Sequence, residues 1–294
     1  MAAISTTAAS SPNPLTRLVR SRVWRRLARQ KSAMFGLTVV VFMILVAVLA
    51  PVLAPYDPTA QGWTSVRKPP SPEFWMGTDE AGRDILSRIV YGARASLLAG
   101  LTSVAIAMAI GVPLGLAAGF VGGFVDGLIS RFTDAMLACP FLILAIALAA
   151  FLGPSLTNAM LAIGITATPL FIRLTRGQVM QIKAEEYVEA ASAVGNPRWR
   201  IAFRHILPNI LPQLMVQCTL TIAAAIIAEA SMSFLGLGLQ PPAPSWGSML
   251  NTAQRFMTNA PWMALWPGMA IFITVLSFNL LGDGLRDALD PRGK

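Results

Sequence analysis

Histidine is nearly absent from this sequence, and cysteine and charge are scarce. The one histidine, His205, has no carboxylate or second histidine at metal-ligand spacing. That argues against a metal centre. It also leaves a membrane-embedded hydrolase without a nucleophile–base pair. The two cysteines, Cys139 and Cys218, both fall in apolar runs. No disulfide framework follows from them, and both are expected as small buried hydrophobes. No G-x-x-x-x-G-K-[ST] phosphate loop occurs, so the sequence offers no P-loop ATPase site. Charged residues fill 13% of 294 positions, against roughly 25% in a soluble domain. A soluble fold is thereby excluded.

What is present is long uncharged sequence, with a mean hydropathy of +0.61. Uncharged windows cover Ser32 to Tyr56, Ala95 to Val125, Ala135 to Ile172, Ile206 to Ala228 and Phe256 to Gly282. About 20 apolar residues cross a bilayer as a helix. Four windows fit one span each. The window from Ala135 spans 38 residues and fits two short ones, because Gly153 to Asn158 ("GPSLTN") breaks it. Backbone in lipid must bond to itself, so each span is helical. The expected fold class is an all-α integral membrane protein with six transmembrane helices. The first window is too long for a signal-peptide core and is read as a retained span.

Charge sets the orientation. With a cytoplasmic N-terminus, 17 of the 23 Lys and Arg residues fall inside. They lie in the N-terminal tail (Arg17 to Lys31), at Arg131, between Arg173 and Arg204, and at the C-terminus. Six fall outside: Arg67, Lys68, Arg83, Arg88, Arg94 and Arg255. The positive-inside rule favours this topology, with both termini cytoplasmic. The net charge of +9 is then a topology signal, and no basic face on a soluble domain points to nucleic acid. Boundaries follow. A basic tail covers 1–32, a first span 33–55 and an extracytoplasmic segment 56–93. A core covers 94–284, with spans at 95–120, 135–152, 159–176, 209–235 and 262–282, a cytoplasmic loop at 177–208 and an outer loop at 236–261. A tail covers 285–294. Met1 to Pro14 is Ala/Ser/Thr-rich and is expected to be disordered.

The densest polar segment, Glu185 to Pro208, lies in the cytoplasmic loop. Glu185, Glu186 and Glu189 suit the start of a short helix. Tyr187, Ala190, Ala191 and Val194 follow at helical spacing as one apolar face. Gly195 fits a left-handed C-terminal position. Asn196 can cap a second helix, with Pro197 in its first turn. That second helix, with Trp199, Ala202, Phe203 and Ile206 on one side, is expected on the membrane surface. Pro208 and Pro212 mark entry to the fifth span. Two short helices at a glycine corner, with small residues on the first, read as a knob for a partner's cleft.

These residues carry a resemblance. "EAASAVG", nine residues and then "HILP" is similar to the EAA signature of ABC importer permeases. Glu189, Ala190, Ala191, Gly195, Leu207 and Pro208 match it in register, and His205 stands where the signature has isoleucine. "FWMGTDEAGRDILSRIVYGARASL" (Phe74 to Leu97), "EASMSFLGLGLQPPAPSWGSML" (Glu229 to Leu250) and "FNLLGDGLRDALDPR" (Phe278 to Arg292) resemble the C-type permease of the dipeptide/oligopeptide/nickel importers. The resemblance covers about residues 30 to 292.

It implies a type I ABC importer permease fold, an extra N-terminal helix ahead of a five-helix core. It implies a bacterial or archaeal cytoplasmic membrane. It also implies partners: a homologous B-type permease, two cytoplasmic ATPase subunits and an extracytoplasmic substrate-binding protein. ATP and magnesium would sit on the ATPases, and this chain would bind no cofactor. The coupling residues would be Glu186, Tyr187, Glu189, Ala190, Ala191, Gly195, Asn196 and Pro197. The transported ligand would be a di- or oligopeptide or a related ligand, such as glutathione, an opine or a nickel chelate.

Within the spans, Gly111, Gly115 and Gly119 form a row for close helix packing. Pro113 is expected to kink the same span. Glu229 is the one carboxylate well inside a span. It is a pathway or gate candidate, an interface residue at membrane depth, or the partner of an arginine such as Arg83, Arg88 or Arg94. Asp79, Glu80, Arg83 and Asp84 suggest a structural outer network. Asp126 and Asp134 read as solvated. An ATPase-independent transporter or channel is the alternative. It would show repeated halves or several charges within the spans, and neither is evident.

Overall fold

A computed structural model describes residues 22–289. The basic residues and the Ala/Ser/Thr-rich stretch before residue 22, and the last five residues, lie outside them. Helix α1 (Arg22–Arg29) leads into α2 (Lys31–Val48) and a short α3 (Ala50–Leu53). After a folded hairpin region come α4 (Ile85–Val121), α5 (Gly123–Leu137), α6 (Phe141–Leu152) and α7 (Leu156–Lys183). Then follow α8 (Glu186–Ala193), α9 (Arg198–Arg200), a π turn (Ile201–Ile206) and α10 (Leu207–Phe234). The chain closes with α11 (Trp246–Ala253) and α12 (Trp262–Leu289). Five of the described helical rods are long and apolar enough to cross a membrane. The pair α5–α6, bent by 90°, makes a sixth.

Three boundaries differ from the sequence reading. Helix α4 starts at Ile85, well before residue 95, because Asp84 caps it, its carboxylate accepting from the Ser87 N–H at 2.8 Å. It runs through Pro113 as one helix. Residues 135–152 are not one rod: α5 ends at Leu137 and α6 starts after Pro140. Proline has no N–H to continue the helix, and it disfavours helical backbone at the residue before it. Cys139 sits on this corner and is exposed, contrary to its expected burial. Cys218 is half-buried, its Sγ 2.8 Å from the Met108 sulfur.

The third difference concerns the segment after Gly195. It is not a separate surface helix. Residues Arg198–Phe234 form one continuous rod of 37 residues. Pro208 has no N–H, and in α geometry its ring would meet the Arg204 carbonyl. The chain widens instead, and the Leu207 N–H reaches back five residues to Ala202 O. Asn209 Nδ2 donates to the His205 carbonyl at 2.6 Å.

Small residues bring the long helices together. The most extensive contact is α4 on α7, where Gly111, Gly115 and Gly119 face Phe171, the Ile172 carbonyl with Thr175, and the Arg176 carbonyl with Val179. A Cβ at Gly115 would lie 2.6 Å from both Ile172 O and Thr175 Cβ. Gly36 of α2 abuts Ser277 of α12, and Gly100 of α4 abuts Ile226 of α10. Lipid tails offer no hydrophobic drive between helices, so such contacts rest on dispersion at close range.

The two ends of the bundle differ. One carries α8 and the loop at 184–200. The other carries residues 54–84 and α11. There Arg83 pairs with Asp79 (2.6 Å) and Glu80, and Arg88 with Asp79 (3.3 Å). Arg88 also donates to the Pro58 and Pro242 carbonyls, tying the hairpin to the α10–α11 connection. Burial, with Asp79 beside it, pushes the Glu80 carboxyl up, against the pull of Arg83.

Candidate functional site

Helix α8 is short, and it is held by its own end turns and by a few contacts with the segment that follows it. Glu185, at the N-cap, makes no side-chain cap, but Glu186 and Glu189 lie in the first turn, where the helix dipole favours them. Its far end closes in a Schellman arrangement. The Gly195 N–H donates to Ser192 O at 2.9 Å, and the Asn196 N–H to Ala191 O at 3.3 Å. Gly195 has φ +80°, a conformation that disfavours any residue with a Cβ. Asn196 does not cap the following helix. Its Nδ2 turns back to Ala191 O at 3.0 Å and seals the α8 terminus, while Pro197 takes the N-cap position of α9.

The buried face of α8 is not the expected one. Val188 is the buried residue, packed with Ile201, Ala202 and Ile206 of the π turn, with Ala191 half-buried beside it. Tyr187, Ala190 and Val194 are exposed, Val194 by 83%. Trp199 and Phe203 of the next segment also face outward. The reason lies in the rod: the π turn rotates Ile201 and Ile206 inward, and Val188 is the α8 residue that meets them. Tyr187 keeps one tie, its hydroxyl accepting from Asn209 Nδ2 at 3.1 Å. Burial, with Glu185 nearby, pushes that phenol up.

Beneath α8 lies a cleft of about 350 Å³ between it, the end of α4 and Arg198. Lys183 Nζ donates to the Phe120 carbonyl at 2.9 Å, at the C-terminal end of α4. Residues Glu186, Glu189, Ala190, Gly195 and Pro197 are thus presented on a knob beyond the bundle end.

Glu229 is elsewhere, near the other end, and it faces no cavity. It is fully buried on α10, and its carboxylate accepts from Ser96 of α4 at 3.1 Å and from Ser233 at 2.7 Å. No arginine reaches it among the described residues, since Arg83 and Arg88 serve Asp79 and Arg94 is exposed. Trp246 of α11, also fully buried, packs on Gly92 and donates its indole N–H to Ile89 O at 3.1 Å. Glu229 therefore joins helices within a sealed contact, and its place as a gate finds no support in this geometry.

Two ion pairs were not foreseen. Arg176 grips Asp126, Nη2 to Oδ2 at 2.8 Å, and Arg173 meets Asp134 at 2.6 Å. Both clasp α5 to α7. Their partners stand some 40 or 50 positions apart, so no local spacing announces them.

The comparisons with known proteins bear on this geometry. Residues 111–294 match the family described as binding-protein-dependent transport system inner membrane component. This chain belongs to that family. Residues 20–70 of the permease match the N-terminal TM domain of oligopeptide transport permease C. It is 46% identical over 289 residues to the dipeptide transport system permease protein DppC of Alkalihalophilus pseudofirmus, covering 97% of this chain and 95% of the relative. It is 47% identical over 272 residues to the glutathione transport system permease protein GsiD of Shigella flexneri, covering 92% and 90%. The fold is that of the inward-facing MetNI methionine ABC transporter, with a TM-score of 0.58 at 21% identity, covering 69% of this chain and 97% of that one. The permease is a multi-pass inner-membrane component whose family works with binding proteins.

Proposed function

We propose that this permease forms one half of the pathway of an ATP-driven importer of di- or oligopeptides, or of a related ligand such as glutathione. It pairs with a homologous B-type permease. Two separate ATPase subunits hold the ATP and magnesium and drive it through α8 and the Gly195 corner. An extracytoplasmic binding protein supplies the ligand. The chain itself binds no cofactor and has no ATPase activity. The names of its relatives support the substrate class, and the 17-to-6 distribution of Lys and Arg supports a cytoplasmic α8.

One observation carries the coupling assignment: α8 offers Tyr187, Ala190 and Val194 as exposed side chains that the described residues leave uncovered. An ordered helix that leaves such a face bare is built for another surface. The test uses the complete transporter in proteoliposomes. An added Cβ at Gly195 meets nothing within 4 Å among the described residues. Gly195→Ala therefore introduces only backbone strain, about 1–2 kcal/mol. Gly195→Trp adds bulk only a partner would feel. Gly195→Trp and Glu189→Lys should assemble in the membrane yet lose ATP-dependent uptake, with Gly195→Ala largely active. Full uptake by Gly195→Trp would refute the docking role.

A further inference from the structure

One flank of α10 carries a row of polar side chains that the bundle satisfies only in part, the Thr221 hydroxyl donating to the Gln217 backbone carbonyl at 2.7 Å. Gln213, Gln217 and Thr221 recur at every fourth residue, a stripe with steps of about 6 Å. Two cavities open along it, of about 460 and 350 Å³, and Gln217 lines both. The first also holds Gln213 and reaches Arg286 of α12. The second holds Thr221, Thr166 of α7 and Cys139 at the α5–α6 corner. Gln217 Nε2 donates to Thr221 Oγ1 at 3.1 Å. The Gln217 carboxamide oxygen, and both polar atoms of Gln213, find no partner among the described residues.

Carboxamides turned toward lipid are costly, so this flank is not a lipid face. Nor is it shaped for a flush helix contact, since it is a trough with small-molecule dimensions. A carboxamide both donates and accepts, as a peptide group does, and it does so without regard to the side chains a peptide carries.

Building on the importer reading, we infer that this trough lines the translocation path, and that Gln213 and Gln217 hydrogen-bond the backbone groups of the passing peptide. The ladder would let ligands of differing side chains share one path.

The experiment uses the complete transporter, radiolabelled alanyl-alanine and a Cys218→Ala background. Gln217→Leu should lower uptake per ATP hydrolysed about tenfold, the worth of one lost hydrogen bond to a committed group. Binding-protein-stimulated ATPase activity should persist, which shows that the variant is folded and coupled. Gln217→Asn should recover part of the loss, and Gln213→Leu should show a smaller one. Alkylation of Cys139 by a maleimide should slow with excess alanyl-alanine. Wild-type uptake per ATP in both leucine variants, with Cys139 alkylation indifferent to peptide, would overturn the path assignment alone and give the trough to lipid or a partner helix. A wild-type complex with no ATP-driven uptake of alanyl-alanine, of a longer peptide or of glutathione would overturn the importer reading and this inference with it.

Discussion

Adding one methyl group at Gly115 tests whether backbone proximity holds α4 to α7. The new Cβ would stand 2.6 Å from Ile172 O, 2.6 Å from Thr175 Cβ and 3.2 Å from Arg176 N. Two of those three atoms are backbone, so no rotamer change relieves the contact. The helices must part by roughly 1 Å, and overpacking of this kind costs about 1–3 kcal/mol. The backbone contacts place Gly115→Ala at the upper end, about 3 kcal/mol. Alanine recovers about 1 kcal/mol of helix propensity, for a net loss of about 2 kcal/mol. Gly177→Ala is the control. It lies in α7, is exposed, and meets nothing within 4 Å, so it should gain up to about 1 kcal/mol. The assay is SDS titration of the purified permease in mixed micelles, read by circular dichroism. A Gly111→Ala/Gly115→Ala double should lose less than the sum, because the first separation already relieves the second site. Equal midpoints for Gly115→Ala and Gly177→Ala would refute the close-approach argument.

Glu229→Gln should stay within about 1 kcal/mol of wild type, since the carboxamide oxygen accepts from one of Ser96 and Ser233 and its NH2 donates to the hydroxyl oxygen of the other. Glu229→Ala should lose about 1–3 kcal/mol in the same titration by stranding them. An inactive but fully stable Glu229→Gln would restore a role for the charge. Trp246→Phe leaves the Ile89 carbonyl without its indole donor and should cost about 1–3 kcal/mol, read as an earlier SDS midpoint. A double-mutant cycle on Asp126 and Arg176 should give a coupling of up to about 1 kcal/mol. The pair Asp134 and Arg173, each 60% or more exposed, should give nearly none.

The spans were legible because lipid leaves the backbone one choice, so an uncharged window at Ser32 to Tyr56 or Ile206 to Ala228 reads as helix without further information. The glycine corner was legible for a similar reason: few residues besides glycine take φ +80°. The face of α8 was not. Counting from Tyr187 to Val194 finds an apolar stripe, but which stripe turns inward depends on Ile201 and Ile206, and their direction depends on a π turn that no periodicity announces. The corner at Cys139 and Pro140 lay inside an uncharged run, where Pro140 could mark a break but nothing in the composition gave the direction in which the chain turns. Glu229 invited an arginine because buried charge usually finds one. Two serines from different helices answer it here, and serine hydroxyls give no long-range signal in sequence. The stripe of Gln213, Gln217 and Thr221 was readable at every-fourth spacing, but without the cavities beside it nothing set it apart from helix packing.

These features meet on one element. The rod over Arg198–Phe234 is about 55 Å long at 1.5 Å per residue, enough to run from one bundle end to the other. Near one end it receives Val188 of α8 through Ile201, Ala202 and Ile206. Along its middle it presents the carboxamide stripe. Near the other end Glu229 fastens it to Ser96 of α4. Its one irregular stretch is the π turn, placed between the α8 contact and the stripe. A force on α8 thus has a packed, apolar route into the same helix that bears Gln213 and Gln217, and at its far end that helix is hydrogen-bonded to α4 through Glu229. If force enters at α8 and the Glu229 seat holds, Gln213 is expected to move farther than Gln217, and Gln217 farther than Thr221. A stripe placed anywhere on α2, which packs chiefly on α12 and α4, would have no such graded connection to α8.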